Sequence, residues 1–385
     1  MIKHEKSHGR KHPMSKKQKI IISIIAVVIL IGASGFMIWF LWLRTNDREM
    51  IFVEAEWSEQ TEPIYSRLTG LEISDERLNT SPTYCIQIPN GSTDGARPQA
   101  GLAQAAVIFE AIAESGITRF SAIFQNANAS AIGPIRSLRP YYLDWDTPFD
   151  CTVVHAGGSA EAIKALQKGG QRDLDENYTY MWRENGSGRS WNNLFTSSTL
   201  LNEYNLSRGW GSSDPKVFAR MTPEATAELL ATQSAREYVP ATNIQINFSA
   251  NYSHNVIYNY DAITNTYLRS HQDGNPHLSY ECPIEHTKPN TKNDCGTPKQ
   301  LAPNVVIAMR VEQRLMTDRY HQSIRTVGSG EALIFQNGEV IKGAWAKESQ
   351  GAQISFKDQN GVEIELSPGQ VWISAVPQSG TIKSQ

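Results

Sequence analysis

From Ile20 to Leu43 the chain carries no charged residue, and most positions are Ile, Val, Leu, Phe or Trp. As a helix rising ~1.5 Å per residue, such a run reaches about 36 Å, enough to cross a bilayer core of about 30 Å. Lys16, Lys17 and Lys19 precede it directly. The positive-inside rule then predicts a cytoplasmic basic tail over 1–19, a transmembrane helix over 20–43 and an extracytoplasmic body after Arg44. Trp39 and Trp42 fall near the outer end, where indole rings favour the interface. The expectation is a single-pass plasma-membrane protein, partnered by the lipid bilayer through residues 20–43. A cleaved signal peptide ending near Ala33-Ser34-Gly35 is the competing reading, but the apolar segment continues through Phe36–Leu43. No Cys ends the run, which excludes a lipid-modified N-terminus.

That run also divides the charge. Residues before Leu43 include seven of the 36 Lys/Arg and one of the 39 Asp/Glu, so the remainder holds 29 and 38, a net of −9. An acidic body of this kind excludes nucleic acid as a partner. With 9% aromatic and only 19% charged residues, a mainly disordered chain is excluded as well.

All four cysteines lie in the external part. Cys282 and Cys295 bracket a polar loop and read as a disulfide formed outside the cytoplasm. Cys85 and Cys151 sit in apolar runs and read as buried thiols, with a bridge between them as the alternative. No His or Cys spacing suits a metal, and no cofactor motif is present: Val153-Val154-His155-Ala156-Gly157-Gly158-Ser159 lacks both the Gly-Lys-Ser/Thr of a P-loop and the Gly-x-Ser-x-Gly frame.

Residues 44–80 read as an acidic stalk. Over 81–240 strand-like and helix-like segments alternate, predicting a mixed α/β domain. From 241 to 380 the pattern turns to period two, with Asn337-Gly338 and Asn360-Gly361 as hairpin turns, predicting a mostly antiparallel β domain. The expected class is therefore α+β, behind an N-terminal transmembrane helix.

The stretch Ala106–Gln125 reads as a hairpin turning at Ser115-Gly116, because a sheet sorts side chains by parity. Ile112 would face Arg119 and Ala111 would face Phe120. One face then carries Val107, Phe109, Ala111, Ala113, Phe120, Ala122 and Phe124, while Glu110, Glu114 and Arg119 collect on the other. Arg119 would reach both carboxylates diagonally. On one strand Glu110 and Glu114 stand ~13 Å apart at about 3.3 Å per residue, beyond the roughly 5–9.5 Å of glycosidase pairs.

Arg119, Arg136 and Arg139 are the candidate anion ligands, Pro140 placing Arg139 at the edge of a short helix. A structural reading competes: Arg119 pairs with Glu110 and Glu114, and Arg136 with Asp144 or Asp146. Beside them His155 ends a strand, and the amides of Gly157, Gly158 and Ser159 open a helix where an anion could sit. Two loops are further candidates: Arg183 to Asn193, with Arg189 and Trp191, and the turn holding Arg269, His271, Gly274, Pro276 and His277.

These motifs in this order resemble the YerB-like family of bacterial envelope proteins, a two-domain family of no established biochemical function. The resembling residues are Ala96-Arg97-Pro98-Gln99, Glu110, Glu114-x-Gly116-Ile117-Thr118-Arg119-Phe120, Gly133-Pro134-Ile135-Arg136-Ser137-x-Arg139-Pro140-Tyr141 and His155-Ala156-Gly157-Gly158-Ser159. In the second half they are Tyr267-x-Arg269, Gly274-x-Pro276-His277, Gly338-x-Val340-Ile341-Lys342-Gly343-x-Trp345 and Pro368-Gly369-Gln370-x-Trp372. The resemblance spans about 81–377 and implies an envelope location and paired domains, but no reaction. Two departures stand: many relatives look like lipoproteins, and the acidic residue expected after Pro276-His277 is replaced by Leu278-Ser279-Tyr280.

The expected function is capture of an anionic cell-envelope ligand by Arg119, Arg136, Arg139, His155, Gly157, Gly158 and Ser159, with Glu110 and Glu114 orienting Arg119. The alternatives are an envelope hydrolase or transferase using Glu110, Glu114 or His155, and a protein-interaction scaffold with an unidentified partner.

Overall fold

Residues 16–45, 62–184, 191–282 and 295–385 are described in a computed structural model, with side chains of the first helix described at 16–17, 20–21, 24–25, 27–29 and 31–42. The basic tail before residue 16, residues 46–61 of the expected stalk and Arg189 lie outside the described residues. The chain divides into two units, Met1–Glu62 and Pro63–Gln385.

The first unit contains a 30-residue helix, Lys16–Thr45. Among the described residues no helix is long and apolar enough to cross a membrane. The transmembrane helix expected over 20–43 is corrected accordingly, and the single-pass topology built on it is unsupported. Crossing requires an unbroken apolar stretch of about 20 residues, a length and apolarity that no described helix reaches.

In the second unit, Ile64–Tyr65 pairs with Glu72–Ile73, and Leu68 is buried in the core. The body is organised by a ten-stranded sheet. Its spatial order is Ser355–Asp358, Glu339–Lys347, Gly328–Gln336, Val305–Val311, Val371–Pro377, Val107–Glu114, Ile117–Gln125, Thr83–Pro89, Cys151–Val154 and Asp173–Leu174. Val371–Pro377 runs parallel to both Val305–Val311 and Val107–Glu114. The expected α+β class, a mixed α/β domain followed by an antiparallel β domain, is therefore corrected to a mostly β fold in which one mixed sheet crosses both halves. The physical reason lies in Val371–Pro377, buried at every position. A strand covered on both faces loses the polar alternation that marks an independent antiparallel sheet. Helices are few and short: Pro140–Asp146, Ala160–Gly169, Ser198–Ser207 and Pro223–Ala231.

One face of the large sheet packs Val107, Phe109, Ile123, Ile307 and Ile373 with Tyr142 and Trp145 of the Pro140–Asp146 helix. Phe109 stacks on Trp145 with ring centres 5.3 Å apart. Alternate residues (Ile108, Phe120, Ala122, Val306, Trp372) pack with Ile244, Ile246, Val256 and Tyr258 of a second sheet, ordered Thr266–His271, Val256–Asp261, Asn243–Asn247, Thr381–Ser384. Phe120 meets Trp372 edge to face at 5.2 Å.

Asn337 and Gly338 join two nine-residue strands, with Gln336 opposite Glu339. Both turn residues have positive φ, as a two-residue hairpin of this twist requires. A Cβ at Gly338 would lie 2.6 Å from Tyr260.

Cys85 and Cys151 are bonded to each other rather than free thiols. Their strands are parallel neighbours, and the two Cα atoms stand 5.8 Å apart, within disulfide reach. Cys282 and Cys295 are bonded as expected.

Candidate functional site

The hairpin forms, but in a register one residue from that expected: Ala111 faces Arg119 and Ile112 faces Thr118. A one-residue slip exchanges faces along a strand. Phe120, Ala122 and Phe124 accordingly sit with Ile108 and Ile112, away from Phe109. Glu110 falls on the face opposite Arg119. An irregularity between Ile112 and Glu114 then re-aims Glu114, as an extra residue in one strand does. Arg119 therefore meets Glu114 alone.

Glu114 accepts from two guanidinium groups, Arg119 Nη2 at 2.8 Å and Arg139 Nη2 at 3.2 Å. Arg119 also donates to the carbonyl of Ser137 at 2.5 Å, and Arg139 to that of Leu138 at 3.0 Å. Both arginines are buried, 4% and 5% exposed. Arg136, on the segment crossing the strand ends, is half-buried, and among the described residues no carboxylate lies in ion-pair range of it. Burial lowers its pKa first, and Arg119 lowers it further, against Glu114 and Asp94. The partners considered for it are engaged elsewhere: Asp144 accepts from Thr326, and Asp146 from Ser121 and Gln87.

His155 does not join this cluster. Its Nδ1 faces the carbonyl of Gly157 at 2.9 Å and its Nε2 faces Asp173 at 2.8 Å. The Gly157 amide donates to Asp175 at 2.7 Å, and the Ser159 amide to the carbonyl of Leu138 at 3.2 Å. Ser159 caps the Ala160–Gly169 helix through its own hydroxyl, and Gly158 bridges to Leu138. The amides expected to cradle an anion are thus spent on the fold at Gly157 and Ser159.

Glu110 belongs to a different network. It is fully buried and accepts from both Nη2 contacts of Arg269 (2.9 and 3.1 Å), from Thr118 Oγ1 (2.8 Å) and from Trp372 Nε1 (2.8 Å). Arg269 Nε donates to His277 Nδ1 at 2.9 Å. A guanidinium can only donate, so that ring nitrogen carries no proton, and Nε2 supplies the hydrogen for Gln99 Oε1 at 3.1 Å. Burial holds His277 well below the usual imidazole range, and Arg269 adds to the shift. The network continues through Asn90, which donates to Thr118 and accepts from Arg97 Nε at 2.8 Å. Glu110, Glu114 and His155 are thus each committed to separate partners and form no shared acid–base centre. Nothing in the spacing of Arg97, Asn90, Gln99 and Tyr258 marks them as site residues. The only sequence signal for them was the motif order, which carries Arg97 and Gln99.

Comparison with known proteins follows the same two halves. Residues 68–211 match the family described as "Protein of unknown function (DUF3048) N-terminal domain", and residues 244–373 match its C-terminal domain. The chain is 28% identical over 314 residues to "Putative lipoprotein YerB" of Bacillus subtilis, covering 80% of this chain and 85% of that protein. It is also similar to the crystal structure of YerB protein from Bacillus subtilis. There the TM-score is 0.67 at 25% identity, covering 83% of this chain and 100% of that one.

Proposed function

For a chain that belongs to the DUF3048 family through both its domains, we propose an extracytoplasmic, membrane-associated role in binding an anionic envelope ligand. The location draws on the lipoprotein description of the relative. It draws too on the pairing of all four cysteines, which suits an oxidising compartment.

The observation that carries the ligand class is Arg136. Three guanidinium groups gather at one end of the hairpin, and the bonded carboxylate there, Glu114, serves Arg119 and Arg139 only. Arg119 and Arg139 are held in place by that shared carboxylate and by backbone carbonyls. Arg136 keeps its donors for a group from outside, and a planar fork of that kind suits carboxylate or phosphate.

The test is association of the full chain with polygalacturonate and with polyglycerol phosphate, measured by fluorescence anisotropy against a neutral dextran. Arg136→Glu should weaken binding by about tenfold or more, the loss of one charge-assisted contact, with an unchanged melting temperature. Equal affinity of Arg136→Glu and the parent chain for both polymers overturns the reading.

A further inference from the structure

A second unneutralised guanidinium lies outside that cluster. Arg97 lines a cleft of about 610 Å³, walled on the other side by Tyr252, His271, Gln272, Asp273 and Asn275 from the C-terminal half. That size falls within the range of small-molecule sites. We propose that this cleft binds a small hydroxylated anion, a sugar acid or sugar phosphate, with Arg97 holding the acidic group.

The cation is built in rather than incidental. Asn90 fixes Arg97 Nε at 2.8 Å, and His254 Nδ1 lies 3.2 Å from Nη2. His254 must accept there, because arginine has no acceptor, so it brings no charge of its own. Among the described residues no carboxylate lies in ion-pair range of Arg97; Glu110, Asp94 and Asp273 act only from farther off. Desolvation lowers the Arg97 pKa to about 10, with Arg269 adding to the effect. An arriving anion would relieve that cost.

The remaining wall is polar without being cationic. Burial, with Arg97 and Arg269 beyond it, pushes His271 down to about 3, so it is neutral at ordinary pH. His271 Nδ1 and Gln272 Oε1 are buried with no hydrogen-bond partner among the described residues. Such atoms are costly unless something fills them, and ligand hydroxyls have the matching chemistry. Asp273 sits at the lip, its carboxylate already bonded to Asn275. Tyr252, 72% exposed, offers a flat ring for the C–H face of a sugar. One half-buried cation with unpartnered neutral polar atoms and an aromatic edge selects an acidic sugar over a bare inorganic anion.

Calorimetry on the full chain with glucuronate, glucose 6-phosphate, glucose and inorganic phosphate tests this. Glucuronate, glucose 6-phosphate or both should bind at least about tenfold more tightly than glucose or phosphate. Which of the two binds identifies the source of the anion. Arg97→Met should abolish the heat. Tyr252→Ala, at an exposed position that cannot disturb the core, should weaken binding by about tenfold. Arg136→Glu should leave binding unchanged, so this site and the polymer site fail independently. No heat from either acidic sugar, equal binding of glucose, or unchanged affinity in Tyr252→Ala overturns the proposal.

Discussion

Glu110 and Arg269, separated by 159 residues, form a fully buried ion pair at 2.9 Å that ties the first hairpin to the second sheet. The pair is enclosed by Tyr258, which accepts from Arg269, and by Trp372, whose ring lies 4.2 Å from the guanidinium carbon. Removing one member strands the other in a dry site. Glu110→Ala should therefore cost about 3–5 kcal/mol of stability. The double change Glu110→Met with Arg269→Met should cost clearly less than the two single changes summed. Urea unfolding of the four proteins checks this, and additive losses would refute the pairing as the cause.

The Cys85–Cys151 bond closes 66 residues and Cys282–Cys295 closes 13. Chain-entropy arguments give about 4 kcal/mol for the longer loop and about 3 for the shorter. Replacing each pair by alanine should lower the urea midpoint more for Cys85/Cys151. The reverse order would show that contacts around the bridges, not loop closure, set their contributions.

Burial pushes the carboxyl of Asp146 up to about 8, against the lowering effect of Ser121 and Gln87. Unfolded, it titrates near ~3.9. Between these values the folded chain holds the extra proton, so the contribution is complete below about pH 4 and is lost as pH rises through 8. Asp146→Asn should therefore show a shallower fall in melting temperature from pH 4 to 9 than the parent. Parallel profiles in thermal scans would exclude Asp146 as the titrating group.

Glu114 is shared by two buried arginines, so Glu114→Gln leaves three guanidiniums with no bonded carboxylate. Stability should fall by roughly 1–3 kcal/mol, the cost of charged groups losing a partner. Association with polygalacturonate should tighten and become more sensitive to salt. Weaker polymer binding in a folded Glu114→Gln protein would contradict the ligand role given to Arg136.

Local pattern carried a good share of the fold. The Asn337-Gly338 turn follows from two positions that tolerate positive φ, and the strands around it follow from alternation. The Thr222 and Ser197 caps mark their helices because each hydroxyl accepts from an amide three residues on. The arginines at 119 and 139 were legible as a cluster from their spacing. The hairpin register was not, since shifting it by one residue leaves the sequence pattern almost equally apolar on both faces.

What the sequence determined alone was the set of elements whose signals are local: turns, caps, alternating strands and the family motifs in order. What only the tertiary structure decided was which strands neighbour one another, and hence that Glu110 answers to Arg269 while Glu114 answers to Arg119 and Arg139. Parity within a strand is written in consecutive residues. The partner of Glu110 is chosen by packing and charge between segments 159 residues apart, and that of Glu114 by a strand irregularity, and no local pattern records either choice.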